Sequence, residues 1–84
     1  MTRVLQRYRI LHLAMNSAPG FTRRDAAIVV GCYELASRIG ELEAEGAEFD
    51  KVRHQERNRY GDLTHYTVYR LRHAPPELRR LAGG

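Results

Sequence analysis

Eighty-four residues allow one domain with a modest core, because a chain this short buries a smaller share of its surface than a longer one. The single cysteine, Cys32, excludes an internal disulfide and a cysteine-based zinc site, two devices on which small catalytic domains often depend. A net charge of +4 favours a polyanionic partner, nucleic acid before membrane, and no apolar run approaches the ~20 residues of a membrane-spanning helix. Met1-Thr-Arg-Val does not open as a signal peptide, and an unpaired thiol suits a reducing cytoplasm. Lys51 is the only lysine among the 14 basic residues. Arginine offers bidentate phosphate and guanine contacts that lysine cannot, although a GC-rich genome explains the bias equally well.

The first predicted helix runs from Val4 to Ala18. Val4, Leu5, Tyr8, Leu11 and Met15 recur at helical spacing, and Ile10 and Ala14 widen the stripe. This helix reads as scaffold. Pro19-Gly20 should end it, and Phe21 precedes a Thr22 N-cap, where it could staple the entry to a second short helix, Thr22 to Val30. Arg23 and Arg24 fall in the first turn of that helix, beside the positive end of its dipole. They are either solvated surface arginines or partners of a phosphate lying against the helix end.

Gly31 punctuates a turn, and a third helix continues to Gly46. Leu35, Ile39 and Leu42 make its inner stripe, and Gly46 sits just past the last periodic residue, as a C′ glycine does. With that stripe inward, Tyr33, Ser37, Gly40 and Glu41 point outward and Glu34 and Arg38 lie on one flank. Tyr33, Glu34, Ser37, Arg38 and Glu41 are therefore the candidates for base edges or nearby phosphates. Arg38 is equally placed to pair with Glu34 or Glu41. Gly40 costs roughly 1 kcal/mol against alanine in a helix interior, which hints at a close approach to another backbone or at tight internal packing. Five glutamates (Glu34, Glu41, Glu43, Glu45, Glu48) stand against one arginine here. The helix should therefore dock on a polyanion by its first turns, or leave most of the binding to residues beyond Gly46.

Beyond Gly46 the period changes. Ala47 to about His54 and Leu63 to Leu71 read as two strands of a hairpin, the second rich in β-branched and aromatic residues. Leu63, His65, Thr67, Tyr69 and Leu71 share one face, expected to meet the core with Phe49. The connecting loop, Arg53 to Asp62, carries Arg53, Arg57 and Arg59 interleaved with Tyr60, a pattern suited to phosphates or a minor groove. Residues 74–84 form a tail in which Pro76 could start one helical turn. The histidines and Cys32 show no metal-ligand spacing, and there is no glycine-rich phosphate loop or Ser/His/Asp set. Neither a cofactor nor a small-molecule substrate is expected, and an enzyme is the least favoured class.

A short helix, a glycine turn and a second helix make a helix-turn-helix, and the hairpin adds a wing. The expected fold is α+β, a winged helix-turn-helix over residues 1–73 with three helices followed by a two-stranded hairpin. Thr22 with Asp25-Ala26-Ala27, Gly31, Arg38-Ile39-Gly-Glu-Leu42-Glu-Ala-Glu-Gly46 and the closing Tyr69-Arg-Leu71 resemble a family of short winged helix-turn-helix proteins. These are encoded mostly by bacteriophages and prophages, and "Arg-Ile-x-x-Leu-x-x-x-Gly" closes their recognition helix. The resemblance implies double-stranded DNA binding in the cytoplasm of a bacterial host, as a transcriptional regulator or a recombination or excision accessory factor, with a homodimer on a repeated site as the expected assembly. The competing reading is an interaction module that engages a host or phage protein through the acidic third helix and the C-terminal tail.

Overall fold

The computed structural model describes residues 3–18 and 20–83. Its elements in chain order are α1 (Arg3–Met15), β1 (Phe21–Thr22), α2 (Arg23–Val29), α3 (Leu35–Ala44), β2 (Glu48–Arg57), β3 (Leu63–His73) and α4 (Pro76–Leu81). The three helices and the hairpin are those expected, β1 is an additional element, and α4 starts at Pro76, where a helical turn was possible.

α1 buries Ile10, Leu11 and Ala14. The apolar stripe read from the sequence is rotated slightly, so that Leu5 is 52% exposed rather than internal. The helix also stops at Met15, three residues early. The Asn16 side-chain amide donates to the His12 carbonyl at 2.9 Å and takes up one of its terminal acceptors. Pro19, expected to help end α1, lies outside the described residues.

Thr22 caps α2 through a capping box: its hydroxyl accepts from the Asp25 N–H, and the Asp25 carboxylate accepts from the Thr22 N–H at 2.9 Å. α2 ends at Val29, and Gly31 just beyond its C-cap takes φ 76° and donates its N–H to the Ala27 carbonyl at 3.0 Å. α3 closes with a Schellman motif, in which Ala47 N–H donates to Leu42 O and Gly46 N–H to Glu43 O, both at 3.0 Å. Gly46 has φ 107°, and a Cβ there would stand 3.0 Å from the Pro75 ring. Leu35, Ile39 and Leu42 are buried, as the periodicity requires.

The sheet has three antiparallel strands in the order β1-β3-β2, so the expected two-stranded hairpin gains a strand. Phe21 pairs with Tyr69 and Thr22 with Val68. Phe21 thus works in a strand, its ring 5.8 Å from that of Tyr69. The approach is close: a Cβ on Gly20 would meet the Tyr69 carbonyl oxygen at 2.9 Å. α4 turns the C-terminal segment back onto α1. Ala74, Leu78 and Ala82 join the core, and His12 Nδ1 meets the Ala82 carbonyl at 3.0 Å. Leu81 remains 55% exposed.

Candidate nucleic-acid interface

β2 and β3 pair without interruption from Phe49↔Leu71 to Arg57↔Leu63, so the strands run further than expected and the connection shrinks to Asn58–Asp62. Arg53 and Arg57 therefore stand on β2, not in a loop. Directly opposed residues in an antiparallel pair share a face. Phe49, Lys51, Arg53, Gln55 and Arg57 accordingly share one with Leu71, Tyr69, Thr67, His65 and Leu63. This is the face expected to meet the core, and it does so only at its inner end. Phe49 is buried and Tyr69 and Leu71 pack against the core, but every residue from Lys51 to Tyr66 is exposed. The hairpin outruns the helices, giving the molecule extents of 45 × 26 × 20 Å.

The hairpin tip is well defined. Asn58 Oδ1 accepts from the N–H groups of Tyr60 at 2.9 Å and Asp62 at 3.1 Å, while Gly61 takes φ 83°. Arg57 Nη1 donates to the Gly61 carbonyl at 2.8 Å, orienting that guanidinium along the turn. Arg59 is exposed and Tyr60 is 80% exposed.

Between the hairpin and the leading ends of α2 and α3 lies an open cleft of about 970 Å³. Arg23, Arg24, Tyr33, Glu34 and Ser37 line one wall, and Glu56, His65, Tyr66 and Thr67 line the other. His65, Tyr66 and Thr67 line the cleft without any motif in the sequence to mark them. Strand alternation puts His65 and Thr67 on the correct face, but only the length of the hairpin relative to the helices shows that this face leaves the core. Tyr33 sits in the turn ahead of α3, not on the helix, and is 73% exposed. Glu34 is the N-cap residue, yet its side chain caps no backbone N–H. The exposed residues of α3 are Ala36, Ser37, Gly40 and Ala44. Among the described residues nothing outside its own stretch of helix lies within 4 Å of where a Gly40 Cβ would be, which removes internal packing as the reason for that glycine.

Arg38 departs from the expected flank position. It is 2% exposed and lies among the core side chains of α3, too deep to read a base edge. Its Nη2 donates to Glu34 Oε2 at 3.4 Å and its Nη1 lies 3.4 Å from Glu41 Oε2. Glu41, also expected outward, is half-buried and shared with Arg7 of α1 at 3.6 Å. Arg7 bonds Glu45 at 2.9 Å, and Lys51 bonds Glu43 at 3.0 Å. Burial works against the Arg7 charge, but its hydrogen bond to the Tyr8 hydroxyl and the carboxylates of Glu45 and Glu41 outweigh it and raise its pKa. Four of the five glutamates on and around the third helix are thus paired with cations, three of them toward α1 or β2. Glu34 is the glutamate of that group that lines the cleft.

The capping box alters the reading of α2. Asp25 already occupies the positive helix end that a phosphate was expected to relieve. Arg23 and Arg24 stay exposed and line the cleft.

Among the described residues no cluster of His, Cys, Asp and Glu could hold a metal ion, and no helix is long and apolar enough to cross a membrane. Three helices, a glycine-punctuated turn between the second and third, and a hairpin beside them define a winged helix-turn-helix domain. A family model described as a winged helix-turn-helix domain matches residues 5–74, and the chain belongs to that family. No curated protein and no solved structure matches it. A helix-turn-helix domain points to DNA binding.

Proposed function

We propose that the protein binds double-stranded DNA sequence-specifically, as a small regulator of the phage type, controlling transcription or assisting recombination or excision. The observation that carries this reading is one continuous exposed surface: the leading end of α3, bounded by Arg23 and Arg24 on one side and by an arginine-bearing hairpin on the other. α3 enters the major groove by its first turns, with Ser37 and Tyr33 at base edges and Ala36 able to meet a thymine methyl. A phosphate strand runs along the cleft, Arg23 and Arg24 lie against it, and the tip residues Arg57, Arg59 and Tyr60 reach the backbone or the adjacent minor groove with Arg53 behind them. A homodimer on a repeated site is the assembly this reading favours.

The competing interaction-module reading loses support, since the acidic face of α3 is taken up by Arg7, Arg38 and Lys51, and α4 is folded onto α1. Five arginines at the surface (Arg23, Arg24, Arg53, Arg57, Arg59) set the test. If each neutralises one phosphate, the logarithm of the affinity for duplex falls with the logarithm of salt concentration at a slope of roughly −4 to −5. Selection from a random duplex library at moderate salt should also enrich a defined site. A flat salt response with no enrichment refutes the proposal.

A further inference from the structure

We propose that Glu34 reads a cytosine, through its exocyclic amino group, and that the buried Arg38 is the residue that positions it. This deepens the DNA-binding reading and rests on it. Glu34 is the one carboxylate at the leading end of α3, in the wall of the cleft beside Tyr33 and Ser37. Its side chain is 71% exposed and stands clear of the core. An N-cap side chain ordinarily accepts from the first backbone N–H groups of its helix, and this one does not. It is drawn instead along the helix to Arg38 Nη2.

The arginine behind it is a poor choice for stability alone. Arg38 is 2% exposed, and its Nε and Nη1 make no hydrogen bond among the described residues. A partly satisfied buried ion network is commonly no better for stability than an apolar side chain of similar volume. What the network does is fix a geometry: Glu41, held from the other side by Arg7, fastens the guanidinium, and the guanidinium fastens Glu34. Charge decides what such a carboxylate accepts. It takes a hydrogen bond from the cytosine N4 amino group in the major groove, whereas guanine O6 and N7 and thymine O4 present acceptors that repel it. Adenine also has an amino group, but its adjacent N7 acceptor faces the second carboxylate oxygen. A carboxylate facing DNA lowers affinity for most sequences and keeps it for those with cytosine in register, which makes it a filter.

The test compares wild type with Glu34→Gln and Arg38→Met by selection on a random duplex library, together with thermal unfolding. Wild type should require cytosine at one position, and Glu34→Gln should relax that position alone, by about 5- to 150-fold, the range for one base contact. Arg38→Met should relax the same position, with the salt slope unchanged, because it loosens Glu34 without removing a phosphate contact. A purely structural Arg38 would lower the unfolding temperature and leave the base preference at that position intact, which overturns the positioning role. If Glu34→Gln raises affinity equally for all sequences, the carboxylate is only repulsive and the inference fails while DNA binding stands. If wild type enriches no site, the DNA reading itself fails. Should Arg38→Met not fold, the exposed Glu34→Gln substitution still decides the cytosine assignment.

Discussion

Gly40→Ala should make the free protein more stable and its DNA complex weaker. Gly40 lies in the interior of a ten-residue helix, exposed, and among the described residues no atom beyond its chain neighbours and its own helix backbone stands within 4 Å of where a new methyl group would go. The folded state therefore gains no clash, and the unfolded chain loses backbone freedom, for a gain of roughly 0.5–1 kcal/mol. For a domain of this size 1 kcal/mol corresponds to about 4–8 °C in melting temperature, so a rise of roughly 2–8 °C is expected by differential scanning calorimetry. The same open space is where the helix would press on DNA. A methyl group introduced into a packed interface costs about 1–3 kcal/mol, a drop of roughly 5- to 150-fold in affinity by fluorescence anisotropy at fixed salt. Opposite signs in the two assays mark Gly40 as a contact point on the ligand side. A fall in melting temperature would refute the helix geometry at this position. Unchanged affinity would show that this turn of α3 does not approach the ligand.

Gly46→Ala should do the reverse and destabilise the free domain, by about 1–3 kcal/mol, because φ 107° is strained for alanine and the new Cβ would crowd Pro75 at 3.0 Å; chemical denaturation reads this directly. Arg57→Ala with Arg59→Ala should weaken binding to all duplexes by a similar factor and reduce the magnitude of the salt slope by about 2, one unit for each phosphate left without its arginine. Weakening confined to one sequence would instead make these arginines base readers.

The helical periodicities were legible because each helix has one face in the core. Leu35, Ile39 and Leu42 could be phased from spacing alone, and Thr22 with Asp25 marked the start of α2 by a capping pattern that the backbone realises in full. The motif on which the family resemblance rests turns out to be mostly about folding. In Arg38-Ile39-x-x-Leu42-x-x-x-Gly46 the arginine is a buried ion-pair centre, the isoleucine and leucine are core, and the glycine closes the helix. Burial of Arg38 could not be read from spacing, since arginine on a helix flank is exposed unless carboxylates from two directions meet it, and Arg7 steadies the second of these, Glu41, from a distant part of the chain. β1 escaped notice because two residues carry no period. The hairpin is longer than its sequence suggests for a related reason: Arg53 to Arg57 is polar on both faces, as an unsupported ribbon is, and polar runs read as loop.

The central claim is that duplex DNA lies across the leading end of α3 and the hairpin. Titrating labelled protein with its selected duplex while monitoring backbone amide resonances tests it most directly. Shifts should concentrate at residues 22–24, 33–40 and 53–67, and be small along α1 and α4. Shifts confined to α1 and α4, around Leu5, His12 and Leu81, would contradict the claim and move the binding face to the opposite helices.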